Sequence, residues 1–166
     1  MKKFLFIPFL LLYLTELHSQ SCSDTVFKSR YFSSDSIYAS NHIVTHDKGS
    51  LVIGETRNYP HKKGLIFKLS ASGDILWSKE LKGIPLLDLY KTLQLNDGSF
   101  IVAGTVLQKN PSSENVFIAK ISANGDLLWQ KFYRFNNNQN HNPIHVYHMT
   151  EGMNSEILVS WQRGGI

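Results

Sequence analysis

One stretch of this chain occurs twice. Lys68-Leu-Ser-Ala-Ser-Gly-Asp-Ile-Leu-Trp77 returns as Lys120-Ile-Ser-Ala-Asn-Gly-Asp-Leu-Leu-Trp129, with the two tryptophans 52 residues apart. Self-similarity at a fixed period constrains architecture more than local propensity does. Each copy must be one supersecondary unit that buries its apolar face on its neighbours. Earlier in each copy, Lys48-Gly-Ser-Leu-Val-Ile-Gly-Glu-Thr56 matches Asp97-Gly-Ser-Phe-Ile-Val-Ala-Gly-Thr105. The pairs Gly49-Ser50 and Gly98-Ser99 are 49 residues apart on that matching. The difference of three reads as an insertion in the loop around 109–115, where added length costs little.

Each unit divides into four short strands. In the second, residues 89–95 alternate and lead into a turn at Asn96-Asp97-Gly98. Phe100 to Val106 is an apolar, β-branched run of the kind that is buried on both faces. A polar loop, Gln108 to Glu114 with Pro111, precedes a third strand over 116–122, and Asn124-Gly125 is the strongest short hairpin signal in the chain. A fourth strand runs from Asp126 to Tyr133. A third unit opens at Ile144-His-Val-Tyr-His-Met-Thr-Glu and continues through Ser155 to Trp161. No helical period is visible after the leader. Four antiparallel strands in about fifty residues is the size of a propeller blade. The expected fold class is therefore all-β, with propeller-type blades of four antiparallel strands, incomplete at about two and a half blades.

The first twenty-one residues stand apart. Met1-Lys2-Lys3 is a positive n-region, residues 4–14 are continuously apolar, and Ser19-Gln20-Ser21 offers small and polar residues for cleavage. This is the pattern of a secretory signal peptide. The apolar run is short for a membrane span and no later segment qualifies, so no transmembrane segment is expected. Cys22 is the single cysteine, which excludes an intrachain disulfide. It reads either as an incidental thiol or as a lipid-anchored N-terminus, although Ser19 stands where the lipoprotein signal usually has Leu.

The expected organisation is a signal peptide over 1–21, the outermost strand of a closing blade over 22–36, blade 1 over 37–83, blade 2 over 84–134 and a partial blade 3 over 135–166. The second of these rests on Asp24-Thr-Val-Phe27, which aligns with Asp74-Ile-Leu-Trp77 one period later. Two and a half blades fall short of the four or more that close a ring. Hence the expectation of an N-terminal part of a longer protein, or of copies that complete the ring by assembly.

The repeats, Asp97-Gly-Ser-Phe-Ile-Val-Ala-Gly-Thr105 followed by Val116-Phe-Ile-Ala-Lys-Ile-Ser-Ala-Asn-Gly-Asp-Leu-Leu-Trp129, resemble those of secreted bacterial β-propeller proteins. That resemblance covers nearly all of the chain after the leader. It implies the propeller fold and an exported or surface location, and little about activity. Quinoprotein propellers share a glycine before a tryptophan in the last strand, but a lone Cys22 cannot supply their vicinal cysteines. Sialidase-type repeats share the Ser-to-Trp spacing of Ser70–Trp77 and Ser122–Trp129, with Gly and Asp in other places.

The candidate special residues fall at repeated positions. Gly73 and Gly125 mark hairpin turns. Asp74 and Asp126 recur in the same turns, and repetition suits a turn role better than a catalytic acid, which is normally singular. Phe27, Trp77 and Trp129 read as packing wedges between blades. The cluster His141, His145 and His148, and the pair His42 and His46, are the nearest approach to metal ligands. On a regular strand, however, His145 and His148 point to opposite faces, and the expectation is no metal and no cofactor. The run Asn136-Asn-Asn-Gln-Asn140 reads as an exposed connection and a possible contact loop.

The composition is that of a globular domain, 42% hydrophobic and 18% charged. The net charge of +4 is scattered, with no basic stripe to follow a phosphate backbone, so nucleic acid is excluded as a partner. No nucleophile elbow, phosphate loop or zinc motif is present. The expected function is an exported, secreted or envelope-located binding or scaffold module whose ligand is a protein or a polysaccharide. Its further partners would be remaining blades of the same protein or further copies of the chain. The alternative is the N-terminal fragment of a glycan-cleaving or quinone-dependent propeller enzyme with its catalytic residues in other sequence.

Overall fold

The computed structural model describes residues 37–56, 62–84, 87–109, 112–134 and 144–163. The expected signal peptide over 1–21, the expected closing strand over 22–36 with Cys22 and Phe27, the Asn136 to Asn140 run and His141 lie outside them. The described chain is all-β, in three antiparallel sheets. The first holds β1 (Ile37–Val44), β2 (Ser50–Thr56), β3 (Gly64–Leu69) and β4 (Ile75–Leu81), each paired to the next. The second repeats that order with β5 (Leu87–Gln94), β6 (Phe100–Lys109), β7 (Ser112–Ile121) and β8 (Leu127–Arg134). The third is a pair, β9 (Ile144–Glu151) and β10 (Ile157–Arg163). No helix among the described residues is long and apolar enough to cross a membrane.

The turns between first and second strands and between third and fourth strands share one end of the sheets, as alternate turns of a meander do. Three of them, 45–49, 95–99 and 152–156, close in the same way. The residue at the first position donates its N–H to the carbonyl of the last: Thr45 to Gly49 at 2.9 Å, Leu95 to Ser99 at 2.8 Å, Gly152 to Glu156 at 2.7 Å. Each needs one residue in the left-handed region. Lys48 (φ 63°), Gly98 (φ 82°) and Ser155 (φ 59°) fill that place. Lys48 is thus the counterpart of Gly98, and Gly49 the counterpart of Ser99. This corrects the matching made from sequence, which aligned the two Gly-Ser pairs: the first hairpins repeat at 50 residues, not 49.

The lengthening between copies also takes a different form from the expected polar loop. β6 and β7 stay paired out to Lys109 opposite Ser112, so the insertion extends a hairpin. Backbone groups that a loop would leave to solvent are satisfied across the ladder instead. The hairpin expected at Asn124-Gly125 forms, and its twin lies at Gly73. In both, a serine opens the loop and a glycine in the left-handed region closes it (φ 89° at Gly73, 88° at Gly125). The glycine N–H returns to the serine carbonyl at 3.0 Å. This is a three-residue loop with a bulged glycine.

The first strand of every sheet carries a β-bulge at the same repeat position. The cross-strand register skips Ser40, Tyr90 and Tyr147, passing from Ala39 to Asn41, from Leu89 to Lys91 and from Val146 to His148. The extra residue brings the bulged backbone down onto its neighbour. Gly54 and Gly104 lie beneath it: a Cβ there would sit 2.3 Å from the Tyr38 carbonyl oxygen or 1.9 Å from that of Asp88. In the third unit Trp161 takes this place, opposite Val146.

The sheets stack face to face, and the second is covered on both sides. Along β6, Phe100, Val102 and Val106 join Leu51, Ile53, Ile66, Leu87, Leu89 and Phe117 in one core between the first and second sheets. Ile101 and Ala103 join Val116, Ile118, Ile144, Val146 and Met149 in another between the second and third. The period-2 alternation of a strand, apolar at both phases, makes this possible. Sheet-to-sheet contact concentrates on the first strands, β1 and β2 against β5, and β5 against β9. Burying a residue of this kind contributes about 1.5–3 kcal/mol.

Two glycine substitutions separate the backbone effects. In Gly98→Ala the new methyl meets nothing within 4 Å, so only the left-handed conformation is strained, at a cost of about 1 kcal/mol. In Gly104→Ala the methyl collides with the Asp88 carbonyl, so the loss should be about 3 kcal/mol or more. Urea denaturation of the two variants measures the difference.

Candidate functional site: the first-strand edge

The second, third and fourth strands of the two complete units repeat their chemistry: Leu51 and Ile101, Ile66 and Ile118, Lys68 and Lys120, Trp77 and Trp129 occupy matching places. The first strands do not. At the position before the bulge's inner neighbour stand Tyr38, Asp88 and His145. At the bulge stand Ser40, Tyr90 and Tyr147, and just after it Asn41, Lys91 and His148. These strands form one edge of each sheet, and the contacts of β1 with β5 and of β5 with β9 bring the three edges together. The result is a varied row of amide, ammonium, imidazole and phenol groups on an otherwise repetitive frame.

The bulge also changes the phase of β9. Burial alternates regularly through Val146 and then slips, leaving His145, Tyr147 and His148 all exposed. His145 and His148 therefore share the exposed side, a correction to the regular-strand reading. The inserted residue turns a three-residue spacing into an effective two. The His145 ring packs against Tyr90 at 5.5 Å between centroids and lies 6.4 Å from Tyr147. His42 is exposed on β1, and His46 lies in the following turn. Among the described residues no group of three His, Cys, Asp or Glu side chains could hold a metal ion.

Polar clasps join neighbouring sheets at both ends of this edge. At the turn end, the His46 N–H donates to Gln94 Oε1 at 2.7 Å, and fifty residues on the Asn96 N–H donates to Glu151 Oε2 at 2.8 Å. At the other end, Lys62 bridges Glu55 of β2, at 3.3 Å, and Asp88 of β5. Burial raises the pKa of Glu55, the neighbouring Asp88 raises it further, and Lys62 offsets this only in part. Burial pulls Lys62 down, but Asp88 and Glu55 together outweigh it and hold the ammonium above its ordinary value.

A second ionic element recurs inside each complete sheet. Asp47 in the first turn accepts from Lys68 Nζ at 2.8 Å and from the Gly49 N–H at 3.1 Å. Asp97 accepts from Lys120 Nζ at 2.8 Å and from the Ser99 N–H at 2.9 Å. Each lysine reaches from the third strand to the first turn. The lysine hydrogen bond, then that of Thr45 or Ser99, lowers both aspartates to about 2. Sequence reasoning passed over this pairing, although Lys68 and Lys120 recur at one repeat position and Asp47 and Asp97 at another.

The residues singled out from sequence lie mostly on the outer part of the stack. Ser70 Oγ and Ser122 Oγ, not the aspartates, accept the N–H groups of Asp74 and Asp126 at 3.1 and 3.0 Å. The Asp74 carboxylate takes the Ser72 hydroxyl, and that of Asp126 lies 3.6 Å from Lys79 Nζ of the preceding sheet. Trp77 packs on the first core, 6.3 Å from the Phe100 ring, and donates its indole N–H to the Ala123 carbonyl at 3.0 Å. Gly125 sits directly beneath that ring: a Cβ there would be 3.0 Å from it. Trp129 packs on the second core, with Lys131 Nζ 5.5 Å from its ring centroid.

No family model and no curated protein matches this chain.

The two kinds of carboxylate predict opposite pH behaviour. Asp47 and Asp97, depressed in the folded state, contribute stability that is present above the unfolded value of about 3.9 and is lost as pH falls towards 2. The destabilisation of Asp97→Asn relative to the parent should therefore shrink between pH 4 and pH 2. With the aspartate exposed to solvent in each, pairs of this kind are worth about 1 kcal/mol or less.

Glu55, raised in the folded state, contributes stability below the unfolded value of about 4.3 that is lost as pH rises through its folded value. The stability of Glu55→Gln relative to the parent should thus improve from pH 4 to pH 7. Urea titrations at stepped pH test both.

Proposed function

We propose that this chain is an exported β-propeller-type module that acts as a binding or scaffold domain at the cell envelope or surface, recognising a protein or a polysaccharide. The observation that carries this reading is the contrast between strands. The second, third and fourth strands of the two complete units repeat residue types at matching positions, whereas the first strands gather on one edge and vary on either side of the bulge: Tyr38, Asp88 and His145 before it, Asn41, Lys91 and His148 after it. A repeated residue serves the frame, and a residue found once can serve a ligand. Lys91, His145, His148 and Tyr147 supply charge, hydrogen-bond donors and acceptors, and an exposed aromatic face for stacking. In a propeller the first strand of each blade is innermost, so this row would line the central channel. Export rests on the leader pattern over 1–21.

The test is a binding screen of the purified chain against immobilised envelope polysaccharides and surface proteins, with Lys91→Ala/His148→Ala as the comparison. Both side chains sit on the edge and outside the two cores. The expected outcome is retention by at least one ligand, weakened about tenfold or more in the double variant with its unfolding midpoint preserved. Equal retention of both proteins would remove the first-strand edge from the reading.

A further inference from the structure

The two joints between sheets close differently at the end away from the first turns. At the second joint, Thr105 of β6 donates its hydroxyl to Tyr90 Oη at 3.3 Å, and the His145 ring of β9 packs on the Tyr90 ring. The same repeat positions at the first joint hold Glu55 of β2 and Asp88 of β5. Lys62 lies between these two carboxylates and pairs with both. Both walls of the first joint are complete four-stranded sheets, and Leu87 and Leu89, which flank Asp88, are 0% exposed.

The charges at the first joint do not balance. Two carboxylates face one ammonium, so full ionisation leaves an excess negative charge in a partly buried seam. A single proton removes it. Glu55 is 14% exposed and Asp88 32%, so the proton belongs on Glu55, where a charge loses more solvation. Burial raises the Glu55 carboxyl first, Asp88 adds to this through a hydrogen bond and its charge, and Lys62 offsets only part. Among the described residues no other ammonium or guanidinium pairs with either carboxylate. Tyr38 of β1 and Gly64 of β3 stand opposite Glu55, and Thr105 of β6 stands opposite Asp88. The nearby Lys63 is held by Glu80 of β4 at 3.3 Å, and His145 of β9 is held against Tyr90.

We propose that Glu55, Asp88 and Lys62 form a proton latch: a proton between the two carboxyls closes the first joint, and its release loosens that joint and not the second. In the closed form the Glu55 hydroxyl donates to the Asp88 carboxylate, and Lys62 balances the one charge that remains. Acid therefore tightens the seam between the first two sheets, and neutral solution relaxes it. A carboxyl raised in the folded state contributes fully below its unfolded value of about 4.3, and the contribution is lost as pH rises through the folded value. The second joint, closed by a hydroxyl pair and a ring contact, holds no such pair of like charges. The latch is independent of whatever the first-strand edge binds.

Each joint holds its own tryptophan, Trp77 on the first core and Trp129 on the second. The experiment is fluorine NMR of the full chain labelled with fluorotryptophan, followed from about pH 4 to about pH 8, with signals assigned through Trp77→Phe and Trp129→Phe. The Trp77 signal should pass through a transition above the ordinary carboxylate range. Glu55→Gln should abolish that transition and leave the Trp129 profile as it is in the parent. Asp88→Asn, which removes the like charge, should move the midpoint down, and Lys62→Met, which removes the offset, should move it up, each by about half a pH unit or more. A Trp77 signal with no transition in that range overturns the proposal. So does a transition that survives Glu55→Gln, as one arising from the Lys79–Asp126 pair beside Trp77 would. Equally fatal is a midpoint shared by Trp129, which marks opening of the whole stack, or one that moves the same way in Asp88→Asn and Lys62→Met.

Discussion

Everything in this structure depends on β6 being apolar at both phases. A strand with one apolar face can close a sandwich with a single partner sheet. Phe100, Val102 and Val106 on one side, with Ile101 and Ala103 on the other, require two. The second sheet is therefore an interior layer, and the first and third are what cover it. The polar elements follow from that demand. The lysine–aspartate pairs brace each first turn from the third strand, their lysines belonging to neither hydrophobic cluster.

The bulge on each first strand shapes the stack in a second way. A flat sheet would stack along its whole width. Here contact concentrates on the first two strands, and the bulges at Ser40, Tyr90 and Tyr147 add local twist there. Gly54 and Gly104 let the bulged backbone settle onto the second strand. On the outer side, Trp77 spans the gap to the next sheet's turn, where only a glycine at 125 leaves room for its ring. Close approach at the first strands and a spacer ring at the fourth are two settings of the same stacking.

Most of this layering was legible in the sequence, because a period near fifty residues and a period of two are both strong signals. The four-strand units, the buried run Phe100 to Val106 and the hairpin at Gly125 follow from them directly. What escaped was backbone conformation that no residue type announces. Lys48 adopts the left-handed position that Gly98 fills more cheaply, so matching the two Gly-Ser pairs shifted the first hairpins by one residue. The bulge at Tyr147 reversed the phase of His148, which a strict alternation places on the other face. The insertion near Pro111 read as a polar loop because serine and asparagine dominate it, yet pairing continued through to Ser112. The lysine–aspartate braces were visible only as repeats, and without coordinates nothing tied two repeated positions to each other.

The division between repeated and unrepeated residues is itself physical. A side chain packed between two like sheets meets the same surroundings in every unit, so a residue of the same kind answers in each: Leu51 and Ile101, Trp77 and Trp129. A side chain on the first-strand edge faces whatever lies beyond the stack, and nothing internal obliges Asn41, Lys91 and His148 to agree. Asp88 and His145 make the point within one position. Both stand where a first strand meets the preceding sheet, yet one closes on Lys62 and the other on the Tyr90 ring. The frame accepts either contact at that edge, and this tolerance leaves its first strands open to chemical choice.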